Sequence, residues 1–423
     1  MKKLNVLCLV ILSGFLFGCS TPYTKAQNSY FGGDPAGAEG ILAPLAEKEV
    51  EKSGKNKNLY LWDLGVYRFF QGNYDGAIES FMAGVVDADM LHTAGETVGS
   101  AFTSASAQKY VGDPIEVSLA YFYLGLSYYM TGDYQNALVG FRRSLEEDLS
   151  KDMARQGDIG ITNYLMGESF FRTGRYDDAA VAFKRAADYK AGLLPAYAGM
   201  YQSNVNLNRI SDLEIIEKKI ISIGGEGYFE SVRKNSGSGI TLLMMSGRAS
   251  RVTADAFTGA FRNRNEFVQP DPDWKIRVDE KRGVYDLYLA DRMHDHFEDQ
   301  GGAGGEAKKQ MTRAFVSEGM KAVPCLAVFA PNTDADLRYW PTVPGGFYVG
   351  YLPLEPGSYS VEVTGVDQSS CDPGTGNLWD GIVVNEKRRT LVVVNSFGSV
   401  SKFRIKETGN EEDKGGGDED ENN

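Results

Sequence analysis

Apolar residues recur at intervals of three and four from about Leu59 to Ile223, which predicts a run of amphipathic α-helices. Three segments share one pattern: a glycine, an alanine 12 positions later and a phenylalanine 4 positions after that. The sets are Gly65, Ala77 and Phe81, then Gly125, Ala137 and Phe141, then Gly167, Ala179 and Phe183. A Gly-x-Tyr turn lies inside each segment. Small residues let two helices approach closely, so the pattern predicts a repeated helix–turn–helix unit.

A fourth unit follows in degenerate form. Leu213 takes the alanine position, 34 residues after that of the third unit, while Tyr201 replaces the glycine. The first two units are separated by an insertion, residues 89–114, that is rich in Ala, Ser, Thr and Gly. We therefore expect a helical repeat domain over residues 56–233.

From Ile240 onward the helical period gives way to short runs typical of β-strands. The predicted strands are Ile240–Met245, Trp274–Val278, Cys325–Phe329, Phe347–Leu352, Tyr359–Thr364, Ile382–Val384 and Thr390–Val394. Val284–Phe297 and Ala307–Met320 are predicted to be helices. The fold class is therefore α+β: an N-terminal α-solenoid followed by a domain, residues 239–405, that ends in a small antiparallel β-sandwich.

The first residues indicate a secreted protein. Residues 1–18 combine a short basic start with an apolar stretch that is too short to span a membrane, as in a signal peptide. Leu16-Phe17-Gly18-Cys19 resembles a bacterial lipobox, with the bulky Phe17 as its one departure. The resemblance implies lipid attachment to Cys19, and Ser20 resembles the residue found in lipoproteins sorted to an outer membrane. We expect residues 19–55 to be the anchor and a tether, and the protein to face the periplasm.

Charge and cysteine content narrow the function classes further. The chain holds 44 Lys+Arg and 57 Asp+Glu, a net charge of −13 that argues against a nucleic-acid partner. Residues 406–423 are strongly acidic and are predicted to form a disordered tail. Cys8 would leave with the signal peptide and Cys19 would carry lipid, so Cys325 and Cys371 remain. In an oxidising compartment they form either a disulfide or two buried free thiols.

The repeated segments resemble the tetratricopeptide repeat, a unit of 34 residues. More of the chain resembles a family of uncharacterised bacterial lipoproteins that contain these repeats. Three islands carry this resemblance, and they lie at residues 110–116, 137–143 and 336–359. The last includes Asp336-Leu-Arg338-Tyr-Trp340-Pro-Thr-Val-Pro344. The resemblance supports the architecture and the compartment, and it implies no catalytic residues.

The residue types that catalyse reactions or bind metals do not form a convincing set. His294, Asp295 and His296 lie near Asp291 and Glu298, but positions i and i+2 of a helix do not share a face. Only two ligands would then meet, fewer than a zinc site needs. The chain has neither a nucleophile elbow nor a phosphate-binding loop with Walker spacing. We therefore predict no metal, no cofactor and no enzymatic activity.

The better candidate is a groove lined by the first helix of each repeat. Positions spaced by three, four and three residues share one helical face, and two of the four are aromatic in every unit. The aromatic residues are Trp62, Phe69, Phe122, Tyr129, Tyr164 and Phe171. An apolar surface of this size is normally covered. Either a partner protein binds there, or the insertion, the tether or the C-terminal domain buries it.

Three functions follow from these observations. The first is a lipid-anchored envelope scaffold whose repeat groove binds an envelope protein. The second is a binding module in which the C-terminal sandwich holds a glycan or small ligand, and exposed aromatic residues beside Trp340, Tyr348 and Tyr351 would favour it. The third is an envelope hydrolase that uses metal at His294–Asp299. The first agrees best with the repeats.

Overall fold

The computed structural model describes residues 21–93, 108–148, 159–235, 237–254, 262–266, 273–279, 283–299, 336–366, 377–396 and 405–407. Helices dominate up to residue 235, and strands dominate after it. The helices of the first part are α1 (Pro22–Phe31), α2 (Pro35–Glu51), α3 (Lys57–Gln71), α4 (Tyr74–Thr93), α5 (Pro114–Met130), α6 (Tyr134–Glu146), α7 (Gly160–Arg172), α8 (Tyr176–Tyr189), α9 (Leu194–Asn206), α10 (Ile210–Ser222) and α11 (Glu226–Lys234).

The predicted repeats are helix pairs in the structure: α3 with α4, α5 with α6, α7 with α8 and the degenerate α9 with α10. Contacts between the paired helices explain why small residues recur in each repeat. A Cβ built on Gly167 would lie 2.7 Å from the ring of Phe183, and a Cβ on Gly140 would lie 2.6 Å from the Cα of Gly125. Real Cβ atoms do not approach so closely, so side chains at these positions would push the helices apart.

Two further helices precede the repeats, where a tether was expected. Helices α1 and α2 bury Ala26, Tyr30, Ala38 and Leu42 completely against the repeat core. Thr21 and Asp34 cap them, because their side-chain oxygens accept hydrogen bonds from backbone N–H groups of the first turn. The tether prediction for residues 19–55 is therefore corrected from residue 21 onward: apolar side chains at helical spacing pack this segment onto the solenoid.

The C-terminal half contains two main sheets. The strands are β1 (Gly239–Ser246), β2 (Ser250–Ala254), β3 (Arg262–Glu266), β4 (Asp273–Val278), β5 (Val284–Asp286), β6 (Tyr288–Arg292), β7 (Gly346–Pro353), β8 (Gly357–Val366), β9 (Asn377–Val384), β10 (Arg389–Ser396) and β11 (Ile405–Glu407). The five-stranded sheet has the order β11-β10-β1-β7-β6, and the four-stranded sheet has the order β5-β4-β8-β9. Strands β2 and β3 form a separate hairpin. The described strand pairs are antiparallel except β1 with β10, which is parallel.

The five-stranded sheet is buried on both faces, which gives three layers. On one face Leu243, Phe347 and Val393 join the core of the helical repeats. On the other face Leu242 and Val392 join the core shared with the four-stranded sheet. Burial on both sides explains why β1, β7 and β10 are continuous apolar runs rather than alternating ones.

The C-terminal half differs from the prediction at one helix and at the start of the tail. The helix predicted over Val284–Phe297 is wrong up to Arg292, because β5 pairs with β4 and β6 pairs with β7. Only α12 (Met293–Asp299) is helical. The predicted strand Cys325–Phe329 and helix Ala307–Met320 lie outside the described residues. The tail predicted over residues 406–423 is wrong for Lys406 and Glu407, which belong to β11. The rest of residues 406–423 also lies outside the described part.

Candidate functional site

The six aromatic residues predicted to line an open groove lie on the first helices of the repeats, and all of them are buried. Phe171 is 9 % exposed, and the other five are at most 1 % exposed: Trp62, Phe69, Phe122, Tyr129 and Tyr164. Two of them, Trp62 and Phe122, have ring neighbours from the C-terminal half. The rings of Trp62 and Trp340 are 5.4 Å apart between centroids, and those of Phe122 and Phe347 are 5.1 Å apart.

The chain itself therefore covers the aromatic rows. The two alternatives for these rows were binding by a partner protein and burial by the chain itself, and in the structure the C-terminal domain buries them. In this arrangement the six side chains are not available to a partner, which corrects the expected open groove. The physical reason is the cost of apolar surface in water, about 25 cal/mol per Å². One face of the five-stranded sheet removes that cost by packing into the same core.

Residues 336–345 lead into β7 and hold the seam between the two halves. Asp336 pairs with Arg338, with 2.5 Å between Oδ2 and Nη2. The Arg338 guanidinium then donates to the backbone carbonyls of Lys55, at 2.9 Å, and Gln108, at 2.8 Å. This segment was one of the islands that carry the family resemblance, and its role is to join the C-terminal half to the first repeat.

Each of the three clear repeats also holds one buried acid on its first helix, beginning with Asp63 on α3. Its carboxylate accepts hydrogen bonds from the hydroxyls of Tyr23 and Thr342, both at 2.7 Å. Burial raises the pKa of Asp63 to about 7, although both hydrogen bonds favour the ionised form. Asp63 thus joins α1, α3 and the segment before β7 at one point.

Glu116 on α5 is the second buried acid. It accepts from the Tyr110 hydroxyl at 2.6 Å and from the backbone N–H of Asp113 at 2.8 Å. Its other oxygen accepts from the backbone N–H of Trp340 at 3.0 Å. Glu116 therefore closes a capping box at the start of α5 and binds the C-terminal half with the same carboxylate.

Glu168 on α7 is the third, and it forms a fully buried ion pair. Its carboxylate pairs with Arg389 of β10, and each side chain is 1 % exposed. Gln202 accepts a second hydrogen bond from the guanidinium, which also lies 4.3 Å from the centroid of the Tyr351 ring. Burial alone would lower the pKa of Arg389, but the Glu168 carboxylate together with Tyr351 and Tyr164 outweighs burial, and the pKa lies above its usual value.

The sequence contained a signal for this ion pair. In the predicted row of groove positions, the place of Glu168 is taken by Val66 in the first repeat and by Leu126 in the second. An acid inside an apolar row requires a buried partner. Its partner Arg389 is 221 residues away along the chain, so the row could not identify it.

The histidine cluster has a structural role. His296 is buried, and its Nε2 lies 3.0 Å from Asp291 Oδ1 and 3.2 Å from the Tyr189 hydroxyl. The Asp291 carboxylate accepts from the backbone N–H groups of Gly160 and Ile161, so it caps the start of α7. Across the residues that the structure describes, no three His, Cys, Asp or Glu side chains gather as metal ligands would.

The structure describes some of the remaining predicted residues and does not describe others. Trp340, Tyr348 and Tyr351 are at most 8 % exposed, so they do not offer the exposed aromatic surface that a glycan-binding sandwich was expected to show. Cys19, the predicted lipid attachment site, and the Cys325–Cys371 disulfide lie outside the described residues and stay predictions. Within the described ranges, no helix is long and apolar enough to span a bilayer.

The second helices of the second, third and degenerate fourth repeats carry an exposed apolar position that sequence reasoning missed, whereas the first repeat has Glu79 in this slot. Val139, Val181 and Ile215 each lie two positions after the alanine slot of their unit, and they are 55 %, 54 % and 67 % exposed. We call these three residues the outer row. Single exposed apolar side chains are ordinary, but recurrence in one repeat slot is not explained by packing within the chain. The signal was the same repeat register that identified the groove.

Comparison with known proteins identifies the repeat. The family described as "Tetratricopeptide repeat" matches residues 119–148, so the chain contains a repeat of this type. The chain is similar to a crystal structure of MamA, with 20 % identity, coverage of 48 % of this chain and 96 % of that one, and a TM-score of 0.35. MamA from Desulfovibrio magneticus is 14 % identical, with coverage of 49 % of this chain and 94 % of that one and a TM-score of 0.34. The TPR2AB domain of yeast Sti1, solved in complex with pHSP90, is 10 % identical, with coverage of 50 % of this chain and 95 % of that one and a TM-score of 0.23. No curated protein sequence matches the chain.

Proposed function

We propose that this protein is a lipid-anchored, non-enzymatic scaffold of the cell envelope that binds another protein through its helical repeats. The observation that carries the proposal is the outer row. The groove is filled by the chain's own β-domain, whereas the same slot of three repeats presents a β-branched side chain to solvent. The repeats therefore use their inner face to hold the C-terminal domain and their second helices to bind a partner.

The proposed anchor determines how the protein sits at the membrane. Cys19 precedes Pro22, the first residue of α1, by three positions, which span at most about 11 Å. Helix α1 cannot swing freely, because Ala26 and Tyr30 are buried and Asn395 donates to the Tyr30 hydroxyl at 2.7 Å. A lipidated Cys19, in the outer membrane as Ser20 suggests, would hold the first repeat close to the bilayer. The outer row begins at the second repeat, which is one repeat further from the bilayer.

The non-enzymatic part of the proposal is supported by how the buried acids are used. Asp63, Glu116, Glu168 and Asp291 all accept hydrogen bonds that join helices or sheets. A catalytic acid or base needs access to a substrate, and these carboxylates are at most 1 % exposed. Their geometry suits them to holding two domains together.

The binding proposal is tested by crosslinking in intact cells of origin, followed by affinity capture and mass spectrometry. Wild-type protein is compared with the double variant Val139→Asp, Val181→Asp. The matched control is Val86→Asp, the same change at a 47 % exposed valine of α4 outside the outer row. We expect one recurrent envelope protein that the double variant loses and the control keeps. Equal capture by all three proteins would refute the outer row as the binding surface.

The anchor is tested separately by metabolic labelling with a radioactive fatty acid. Wild-type protein should incorporate the label and fractionate with membranes, and Cys19→Ala should do neither. Absence of label from the wild-type protein would refute lipid anchoring and would leave the repeat-mediated binding unaffected.

A further inference from the structure

The outer row has basic neighbours in each of its repeats. The residues three and four positions after Val139, Val181 and Ile215 are lysine or arginine in every case. We call these residues the basic slots, and they are Arg142, Arg143, Lys184, Arg185, Lys218 and Lys219. Positions three and four apart share a helix face, so each exposed aliphatic side chain lies beside two cations. The first repeat, which has Glu79 in place of the aliphatic residue, has no cation in these slots.

Half of the basic slots are not neutralised by the described part of the chain. Three of them form ion pairs on their own helices, and these pairs are Arg143–Glu146, Lys184–Asp188 and Lys218–Glu214. The other three, Arg142, Arg185 and Lys219, are exposed and have no ion pair among the described residues. Every acid of α6 and α8 is paired with another cation, so none of them neutralises Arg142 or Arg185. The outer row is therefore bordered by positive charge, although the chain has a net charge of −13.

The helix dipole does not explain all of these cations. A cation in the last turn of a helix stabilises it by about 0.3–1 kcal/mol, and the effect falls off beyond that turn. Lys219 lies in the last turn of α10, and its position agrees with this effect. Arg142 and Arg185 lie before the last turns of α6 and α8. Their recurrence beside the outer row therefore points to a partner with negative charge.

The surroundings favour a protein segment over the two other anionic occupants. Against an anionic bilayer, the acids paired with the basic slots would face the headgroups. The proposed anchor at Cys19 also holds the first repeat nearest the bilayer, and that repeat has neither the aliphatic residue nor the cations. The chain's own acidic tail, residues 406–423, contains eight acids but no apolar side chain, so it could not cover the outer row.

We propose that the outer row and the basic slots together bind an acidic protein segment that also carries apolar side chains. This inference rests on the proposed function, since it names the chemistry of the partner at the same surface. Apolar side chains of the segment pack on the outer row, and its carboxylates pair with Arg142, Arg185 and Lys219. Arginine suits this role because its planar guanidinium binds a carboxylate through two hydrogen bonds. Complementary charge of this kind orients a partner and speeds its association.

The test uses photocrosslinking from the full chain in intact cells of origin. Ile215, the most exposed residue of the outer row, is replaced by benzoylphenylalanine, and mass spectrometry identifies the peptide that couples to it. We expect a segment of another protein that has more acidic than basic residues, with apolar residues between them. The added double change Arg142→Glu, Arg185→Glu should lower the crosslink yield at least about tenfold, because like charges then face each other.

Two matched controls accompany the charge reversal. Arg142→Lys, Arg185→Lys keeps both charges and should couple to the same peptide with a yield within about threefold of the unsubstituted chain. Lys48→Glu, Arg251→Glu reverses two exposed cations outside the second helices, so it gives the same net charge and should leave the yield unchanged. If the charge reversal fails to fold, Arg142→Gln, Arg185→Gln decides alone, since it removes the charges without introducing repulsion.

Four results would overturn the proposal. A coupled peptide that is neutral or basic would do so while leaving protein binding at the outer row intact. Equal yields from the Glu and Lys variants would show that the basic slots take no part. Coupling to residues 406–423 or to phospholipid would identify the tail or the membrane as the occupant. Absence of any coupling from Ile215 would refute the proposed binding surface as well.

Discussion

Removal of one partner of the Glu168–Arg389 ion pair should destabilise the protein strongly. Both side chains are 1 % exposed, so Arg389→Met leaves the Glu168 carboxylate buried without its counter-ion. Breaking a buried pair in this way costs about 3–5 kcal/mol. The guanidinium also lies 4.7 Å from the centroid of the Phe171 ring and 4.3 Å from that of Tyr351, contacts that methionine replaces only in part. We therefore expect a loss near the upper end of that range.

The assay is urea unfolding followed by tryptophan fluorescence, because Trp62 and Trp340 lie in the same interface. The double variant Glu168→Leu, Arg389→Met should recover most of the loss, since an apolar pair leaves no buried charge behind. As a matched control, Arg233→Met removes an exposed pair with Glu230 and should cost less than about 1 kcal/mol. A single-variant loss below about 1 kcal/mol, or additive losses in the double variant, would refute the reasoning.

Two further predictions concern stability. The pKa of Asp63 is about 7 in the folded protein and 3.8 in a free side chain. The folded state therefore binds the proton more tightly than the unfolded state does. As a result, the free energy of unfolding falls by up to about 4 kcal/mol as the pH rises from 4 to 7. Asp63→Asn should remove this slope, and an unchanged pH profile of urea midpoints would contradict the assignment. Gly167→Ala should cost about 1–3 kcal/mol, because its Cβ would meet the Phe183 ring at 2.7 Å, whereas Gly40→Ala in the open face of α2 should be neutral or stabilising by thermal midpoint.

Local patterns were sufficient to predict the repeats. The glycine, alanine and phenylalanine slots express contacts within one helix pair, which are close together in sequence. The core strands were predicted from short apolar runs for the same reason. The helix prediction at Val284–Phe297 was wrong for β5 and β6. The spacing of apolar residues there suits a helix, but the segment forms strands because β5 pairs with β4 and β6 pairs with β7.

The sequence by itself determined the repeat register, the strand-rich second half and the need to cover two rows of aromatic side chains. Only the tertiary structure decided what covers them. The covering residues, such as Trp340 and Arg389, lie more than 200 residues from the acids they meet, and no local pattern specifies such a pairing. The same holds for α1 and α2, which lie against the solenoid because their buried faces fit it. Periodicity reports that a face is apolar, but the identity of its partner depends on shape and charge across the whole chain.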